Sequence, residues 1–283
     1  MKVLVTGASG QLGSDVIEVL HKKGHYGYGV SRKDADLGRN NSLPAIIRSI
    51  KPDVVVHCAA YTDVERAEIE PELCRLINVE GTARIAEACK DIQARLLYIS
   101  TDYIFSGSSA EPYEIDAPTA PLSVYGSSKL EGEQKVRELL ESYYIIRTSW
   151  AFGINGSNFI SKILQLGLTN PEMSVVDDQV GSPTYTEDLA RLICDMLCTD
   201  NYGVYHATNE GFCSRAELAI ETFRHVGYDT IVKPISTSES FFRARRPLNS
   251  KLSKSSLDSA GFDRLPHWKD ALHRYLSKKG IPQ

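Results

Sequence analysis

The chain reads as an α/β protein, a doubly wound parallel sheet of the Rossmann type with a smaller α/β substrate-binding domain. Three observations predict this. Strand and helix signals alternate from the first residue to about residue 150. The segment "PDVVVHCAA" is a continuous apolar run, which marks a strand buried on both faces of a parallel sheet. The opening "MKVLVTGASGQLG" passes from a β-branched run through a glycine-rich turn into an amphipathic stretch. In such sheets that order builds a dinucleotide site.

Taken in order, residues 3–6 are a short β-branched strand, and 11–23 have helical spacing. Residues 26–30 read as a second strand and "SLPAIIRSI" as a helix. The buried strand in "PDVVVHCAA" comes next, then one long helix over 71–91 and a strand over 95–100. The helix carrying Tyr125 and Lys129 follows, and a strand over 144–147 closes the first half. After Trp150 the pattern loosens. Helices are expected over 158–167, 186–197, 214–225 and 267–278, and strands in "MSVVDDQ" and "GVYHAT". No linker, repeat or low-complexity tract separates the halves. The expected division is therefore a dinucleotide-binding domain over 1–150 and a mainly substrate-binding domain over 151–283. The boundary should be discontinuous, with elements of the second half returning to the first sheet.

Composition narrows the class. Hydrophobic residues at 42% and charged residues at 24% are ordinary for a soluble globular protein. A formal net charge of −4 argues against general affinity for nucleic acid or an anionic membrane. The chain opens on a core strand, so no signal peptide is expected. No apolar run approaches the roughly 18 residues of a membrane span. The six cysteines (58, 74, 89, 194, 198 and 213) fall inside apolar strand and helix patterns without a Cys-x-x-Cys. Buried, reduced thiols in a cytoplasmic protein are the expectation, and no metal ligand is assigned.

The chemistry centres on Tyr125 and Lys129. Four apart on a helix, they share a face. A nearby ammonium stabilises a tyrosinate and makes the phenol a better proton donor. Gly7, Gly10 and Gly13 fall at G-x-x-G-x-x-G spacing. Glycine lets the turn bend tightly and lets backbone approach a pyrophosphate, which would sit at the N-terminus of the helix beginning near Gln11. A purely structural turn is the bland alternative. About twenty residues on, a carboxylate would bind a ribose 2′-OH and a cation a 2′-phosphate. "VSRKD" offers Arg32 and Lys33 first, which favours NADPH, while Asp34 and Asp36 keep NADH open. Ala59 and Ala60 are small enough to pass close to a cofactor, or simply to pack tightly. Thr101 and Asp102 follow a strand's carboxyl end, where ligands bind in such sheets and a hydroxyl can meet a substrate carbonyl. Turn capping is the alternative for both. Trp150 also lies past a strand end, where an indole can stack on a hexose face, unless it belongs to the core.

Together the glycine turn, Thr101 and Tyr-x-x-x-Lys resemble the extended short-chain dehydrogenase/reductases. Finer strings resemble one branch, the dTDP-4-dehydrorhamnose reductase family. They are "GQLG", "CAAYTDVERAE", "STDYIFSG", "PLSVYGSSKLEGE", "IIRTSWAFG", "NFISKIL" and "VVDDQVGSPTY". They run in order from residue 1 to about 190, and the rest matches more loosely through "RRPLNSKLS". The resemblance implies that NAD(P)H reduces the C4 ketone of dTDP-4-dehydro-β-L-rhamnose, a dTDP-sugar substrate, for polysaccharide biosynthesis. It implies Tyr125 as proton donor and Lys129 as holder of the nicotinamide ribose and tuner of Tyr125. It places Thr101 at the carbonyl and gives Gly10, Gln11 and Leu12 to the pyrophosphate. Asp36 and Leu37 would meet adenine, Ala60, Tyr61 and Thr62 the ribose side, and Asp102 and Trp150 the sugar. The segment 179–185 is expected to close over the nucleotide sugar. One arginine of "FRARRPLNSKLSK" is a candidate for its diphosphate. Some family members are magnesium-linked dimers through acidic residues that cannot be placed here. Monomer or homodimer, and Mg2+, therefore stay open.

Two other classes share this scaffold. A non-catalytic NADP-binding regulatory subunit of the methionine adenosyltransferase type would not need Thr101, Tyr125 and Lys129 intact. A nucleotide-sugar epimerase or dehydratase would keep NAD tightly bound. Dehydratases also use acidic partners beside the Thr101 position, where "STDYIF" supplies only Asp102.

Overall fold

Val3 and Val5 face one apolar layer and Leu4 the other, so the first strand is buried on both sides. This strand, Lys2–Thr6 (β1), lies inside a six-stranded sheet in a computed structural model that describes residues 1–39 and 42–281. The end of the expected 151–283 span lies outside those residues. The other strands are Tyr26–Val30 (β2), Val54–His57 (β3), Arg95–Thr101 (β4), Tyr143–Thr148 (β5) and Gly203–His206. Their order is Gly203–His206, β5, β4, β3, β1, β2, and every pairing is parallel. All four residues of β3 are buried, as its unbroken apolar run requires.

Helices cover both faces. On one, Val16 and Leu20 of helix Gln11–Lys22 and Leu189 and Ile193 of helix Thr186–Met196 pack on Val3, Val5, Val54 and Val56. On the other, Ile47 and Ile85 join Leu4, Val55 and Leu96. The second half thus gives this sheet its last strand and one covering helix. A separate cluster of Phe152, Tyr185, Trp268 and Tyr275 anchors the C-terminal helix Trp268–Lys278 under segment 151–185.

Two expectations need correction. The single helix over 71–91 has a π-helical middle, Leu76–Glu80, between α-helical Pro71–Arg75 and Gly81–Asp91. An apolar period near 3.6 does not report such a local widening. The widened turn carries Asn78, which accepts from Tyr61 N at 2.8 Å and donates to Tyr61 O at 3.1 Å and Ser128 Oγ at 2.9 Å. It therefore ties the loop after β3 to the Tyr125 helix. All six cysteines are free, but Cys198 is exposed and Cys58 partly so. Cys198 lies beyond the helix that ends at Met196, where the apolar pattern no longer implies burial. Among the described residues, no helix is long and apolar enough to cross a membrane.

Candidate active site

A cavity of about 1260 Å³ opens beyond the carboxyl ends of the sheet strands. Of the individual residues considered above as cofactor or substrate contacts, Gly13, Lys33 and Asp34 do not line it. Gly13 is buried behind the first turn.

At one end is the glycine turn. Gly7 adopts φ +65°, and a Cβ there would come within 2.9 Å of Ala59 N. A Cβ on Gly13 would run into the Gly7 carbonyl oxygen. Gly10 N closes the turn on Gly7 O at 2.8 Å, and Gly10 caps helix Gln11–Lys22. The strand end, the Ala59 backbone and a twelve-residue helix N-terminus thus meet with no side chain between them. Such a cradle fits a dinucleotide pyrophosphate. The side chain of Gln11 is committed elsewhere. Its Oε1 accepts from Gly153 N at 2.8 Å and Asn158 Nδ2 at 3.0 Å. Gln11 therefore ties the turn to the second half, which leaves its backbone amide for phosphate. Arg32 is exposed at the rim, with Nε 3.2 Å from Asp36 Oδ2. Tyr61 donates its hydroxyl to Glu70 at 2.9 Å.

The reacting end is built on helix Val124–Leu139. Ser123 caps it by accepting from Gly126 N at 3.1 Å. Glycines at 126 and 132 let it lie against the Tyr103 carbonyl and the Tyr98 hydroxyl, where a Cβ would clash. One turn on from Lys129, Glu133 binds Arg147 of β5 in a buried fork, with bonds of 3.0 and 2.9 Å. That fork fixes the helix on the sheet. Tyr125 meets Tyr103 edge-on at 5.7 Å.

Burial raises the Tyr125 pKa above the ordinary phenol value, and hydrogen bonding from the Thr101 side chain opposes the rise. Lys129 is 2% exposed, with Nζ 4.1 Å from the centre of the Tyr98 ring. Burial pushes its pKa down to about 7, against the pull of Glu133. The sequence pattern suggests an ammonium that eases Tyr125 ionisation. In this geometry burial makes Lys129 give up its proton long before Tyr125 does.

Asp102, just past β4, is fully enclosed. It accepts from Thr101 Oγ1 at 3.1 Å and Ser250 Oγ at 2.5 Å. Burial pushes its pKa up to about 6 despite both bonds. Trp150 sits at φ +49°, a strained conformation for a bulky residue. The guanidinium of Arg215 lies 3.6 Å from its ring centre. One indole face is therefore already covered, and Gly181 lies against the six-membered ring, where a Cβ would come within 3.0 Å of Trp150 Cε2.

These features stand on strands and helices of one recognisable kind. The description RmlD substrate binding domain matches residues 1–280. The chain belongs to this dTDP-4-dehydrorhamnose reductase family. It is 41% identical over 276 residues to a dTDP-4-dehydrorhamnose reductase of Streptomyces griseus, spanning 95% of this chain and 91% of that one. It is 38% identical to the spore coat polysaccharide biosynthesis protein SpsK of Bacillus subtilis, spanning 98% of both. A crystal structure of dTDP-4-dehydrorhamnose reductase from Bacillus anthracis, in complex with NADP, superposes with a TM-score of 0.95 at 40% identity. It spans 98% of this chain and 100% of that one.

Within the RmlD fold the sequence reading passed over three site residues. Ser250 lies in "RRPLNSKLS", yet nothing local in that string says that it reaches Asp102. Asn78 needed the π-turn. Arg215 opens helix Arg215–Val226 after the Ser214 capping box, where a cation looks like ordinary helix decoration. Of the basic run 243–254, Arg246 lines the cavity, paired with Glu65 at 2.8 Å, while Arg243 and Arg245 are exposed. Gln179, at the start of segment 179–185, is buried, lines the cavity and donates to Thr237 Oγ1 at 3.0 Å. Among the described residues, no group of three or more His, Cys, Asp or Glu is placed to hold a metal.

Proposed function

We propose that this chain reduces the C4 ketone of dTDP-4-dehydro-β-L-rhamnose to dTDP-β-L-rhamnose with NADPH, a step in making surface polysaccharide. One observation carries the reading. The glycine cradle and the trio Thr101, Tyr125 and Lys129 line one continuous cavity. Arg32 at the rim, followed by Lys33 in the chain, favours a 2′-phosphate, and a relative of 40% identity was solved with NADP. NADH is the second choice.

When bound, the dinucleotide supplies the hydride. The chain's own residues do the rest. Gly7 and Gly10 and the helix amides hold the pyrophosphate, and Leu37 and Asp36 flank the adenine. Ala60, Tyr61 and Thr62 line the ribose side. Thr101 Oγ1 and Tyr125 Oη face the ketone oxygen. As negative charge grows there, Tyr125 Oη passes its proton to it, and the Thr101 hydroxyl, which in the ligand-free site donates to Asp102, turns its one proton to the ketone oxygen. Lys129 Nζ holds the ribose beside Tyr125. Asp102 and Trp150 fix the hexose. Residues 1–150 form the cofactor unit, and 151–283 mainly the nucleotide-sugar unit.

The test is NADPH oxidation, followed by absorbance, with the keto-sugar made in place from dTDP-4-keto-6-deoxyglucose by a 3,5-epimerase. Epimerase-dependent oxidation yielding dTDP-rhamnose is expected. Tyr125→Phe should lose about 10²–10⁴-fold in turnover while still binding NADPH. No oxidation by folded, NADPH-binding protein would remove the reading in favour of a binding subunit. Stoichiometric NAD+ in the purified protein would favour an epimerase.

A further inference from the structure

Four guanidinium groups line the cavity: Arg32, Arg66, Arg215 and Arg246. Three are neutralised within the chain. Arg32 pairs with Asp36 at 3.2 Å, Arg66 with Glu70 at 2.6 Å and Arg246 with Glu65 at 2.8 Å. Arg215 has no carboxylate within ion-pair distance and no hydrogen-bond partner among the described residues. Its two contacts are aromatic: Trp150 at 3.6 Å and Phe159 at 5.3 Å. A stacked guanidinium keeps its N–H edge free, and an unpaired cation partly withdrawn from water is costly. Burial accordingly pulls the Arg215 pKa down to about 10. A second group near it is also unsatisfied, because Arg246 Nε is buried without a partner. The two arginines are close enough to repel, as their mutual effect on Arg215 records. Two adjacent cations with unused donors call for a multivalent anion.

We propose that Arg215 is a substrate-binding residue that, with Arg246, receives the diphosphate of the nucleotide sugar. This rests on the reading above, and it identifies what that reading leaves open on the second-half side of the cavity. Arg215 lies on Trp150 and within electrostatic reach of Asp102. A hexose held between Asp102 and Trp150 therefore carries its anomeric phosphate towards the two arginines. The cofactor pyrophosphate is the other anion available, and the glycine cradle already accounts for it.

The experiment measures dissociation constants of the full chain for dTDP, in the presence of NADPH, and separately for NADPH. Arg215→Met should weaken dTDP binding by about 10–100-fold, the loss expected for charge-assisted hydrogen bonds, and leave NADPH binding unchanged. Arg215→Lys, which keeps the charge but not the fork, should fall between. It also serves if the methionine variant does not fold. Unchanged dTDP affinity in both variants, even with altered Trp150 fluorescence, would reduce Arg215 to a support for the indole and overturn the proposal. Equal weakening of NADPH would assign the arginine to the cofactor and overturn it too. A wild-type chain that turns over dTDP-4-dehydrorhamnose while Arg215→Met keeps its dTDP affinity separates this failure from failure of the function.

Discussion

Ser250 Oγ donates a 2.5 Å hydrogen bond to Asp102 Oδ2, so a loop of the second half holds the carboxylate at the end of β4. Burial still keeps that carboxyl protonated up to about pH 6, against an ordinary value of 3.8. Between those values the folded state binds more protons than the unfolded one. Rising pH therefore costs stability. Asp102→Asn cannot ionise. It should melt with the wild type near pH 4 and above it at pH 7, by on the order of 1–3 kcal/mol. Thermal melts at the two pH values check this. A stability difference that does not change with pH would mean that Asp102 ionises as an ordinary surface carboxylate. Because Asp102 lines the cavity, the same variant should raise KM for the sugar.

Lys129 runs the opposite way. Its folded value of about 7 lies below the ordinary 10.5, so the unfolded chain binds the extra proton between the two. Stability of the ligand-free protein should then rise with pH across that window. Lys129→Met removes the cation. Its advantage over the wild type should be largest at pH 7 or below and should shrink towards pH 10, while reductase turnover is lost. Chemical denaturation of both proteins across that range gives the answer. Parallel curves would mean that Lys129 stays charged when folded.

How far the sequence carries can be judged at Tyr125, Asn78 and Arg215. Tyr125 and Lys129 are local to one helix, and the glycine turn to one strand–helix junction, so spacing alone finds them. The six main strands are equally local, because each is a short β-rich run between turn signals. Asn78 acts through a π-turn, a change of helix phase that hydrophobic periodicity does not register. Ser250 and Arg215 reach the site across long chain separations, and only packing of the second half on the first brings them there. The charge state of Lys129 is hidden for a related reason. Spacing gives its neighbour Tyr125, but burial sets its proton affinity.

Arg32 tests the cofactor. It is exposed and, among the described residues, bound only to Asp36, so a 2′-phosphate can compete for it. Arg32→Ala should raise KM for NADPH by about 10-fold and leave NADH nearly unaffected. Parallel kinetics with both cofactors decide it. Equal losses would show that Arg32 supports the turn and does not read the phosphate.

Gln11 joins the two halves, and its two functions can be separated. Its Oε1 is the acceptor for Gly153 N and Asn158 Nδ2, and Gly153 is buried. Gln11→Ala leaves a buried amide unpaired and should cost about 1–3 kcal/mol of stability. Gln11→Glu keeps an acceptor for both donors, so its melting temperature should stay near the wild type. It also sets a negative charge at a helix N-terminus that must receive a pyrophosphate. Its NADPH affinity should fall at least about 10-fold at low salt and recover partly as salt screens the repulsion. Melting curves and NADPH titrations on the two variants read the roles independently. If Gln11→Glu binds NADPH as tightly as the wild type, the pyrophosphate does not sit at this turn.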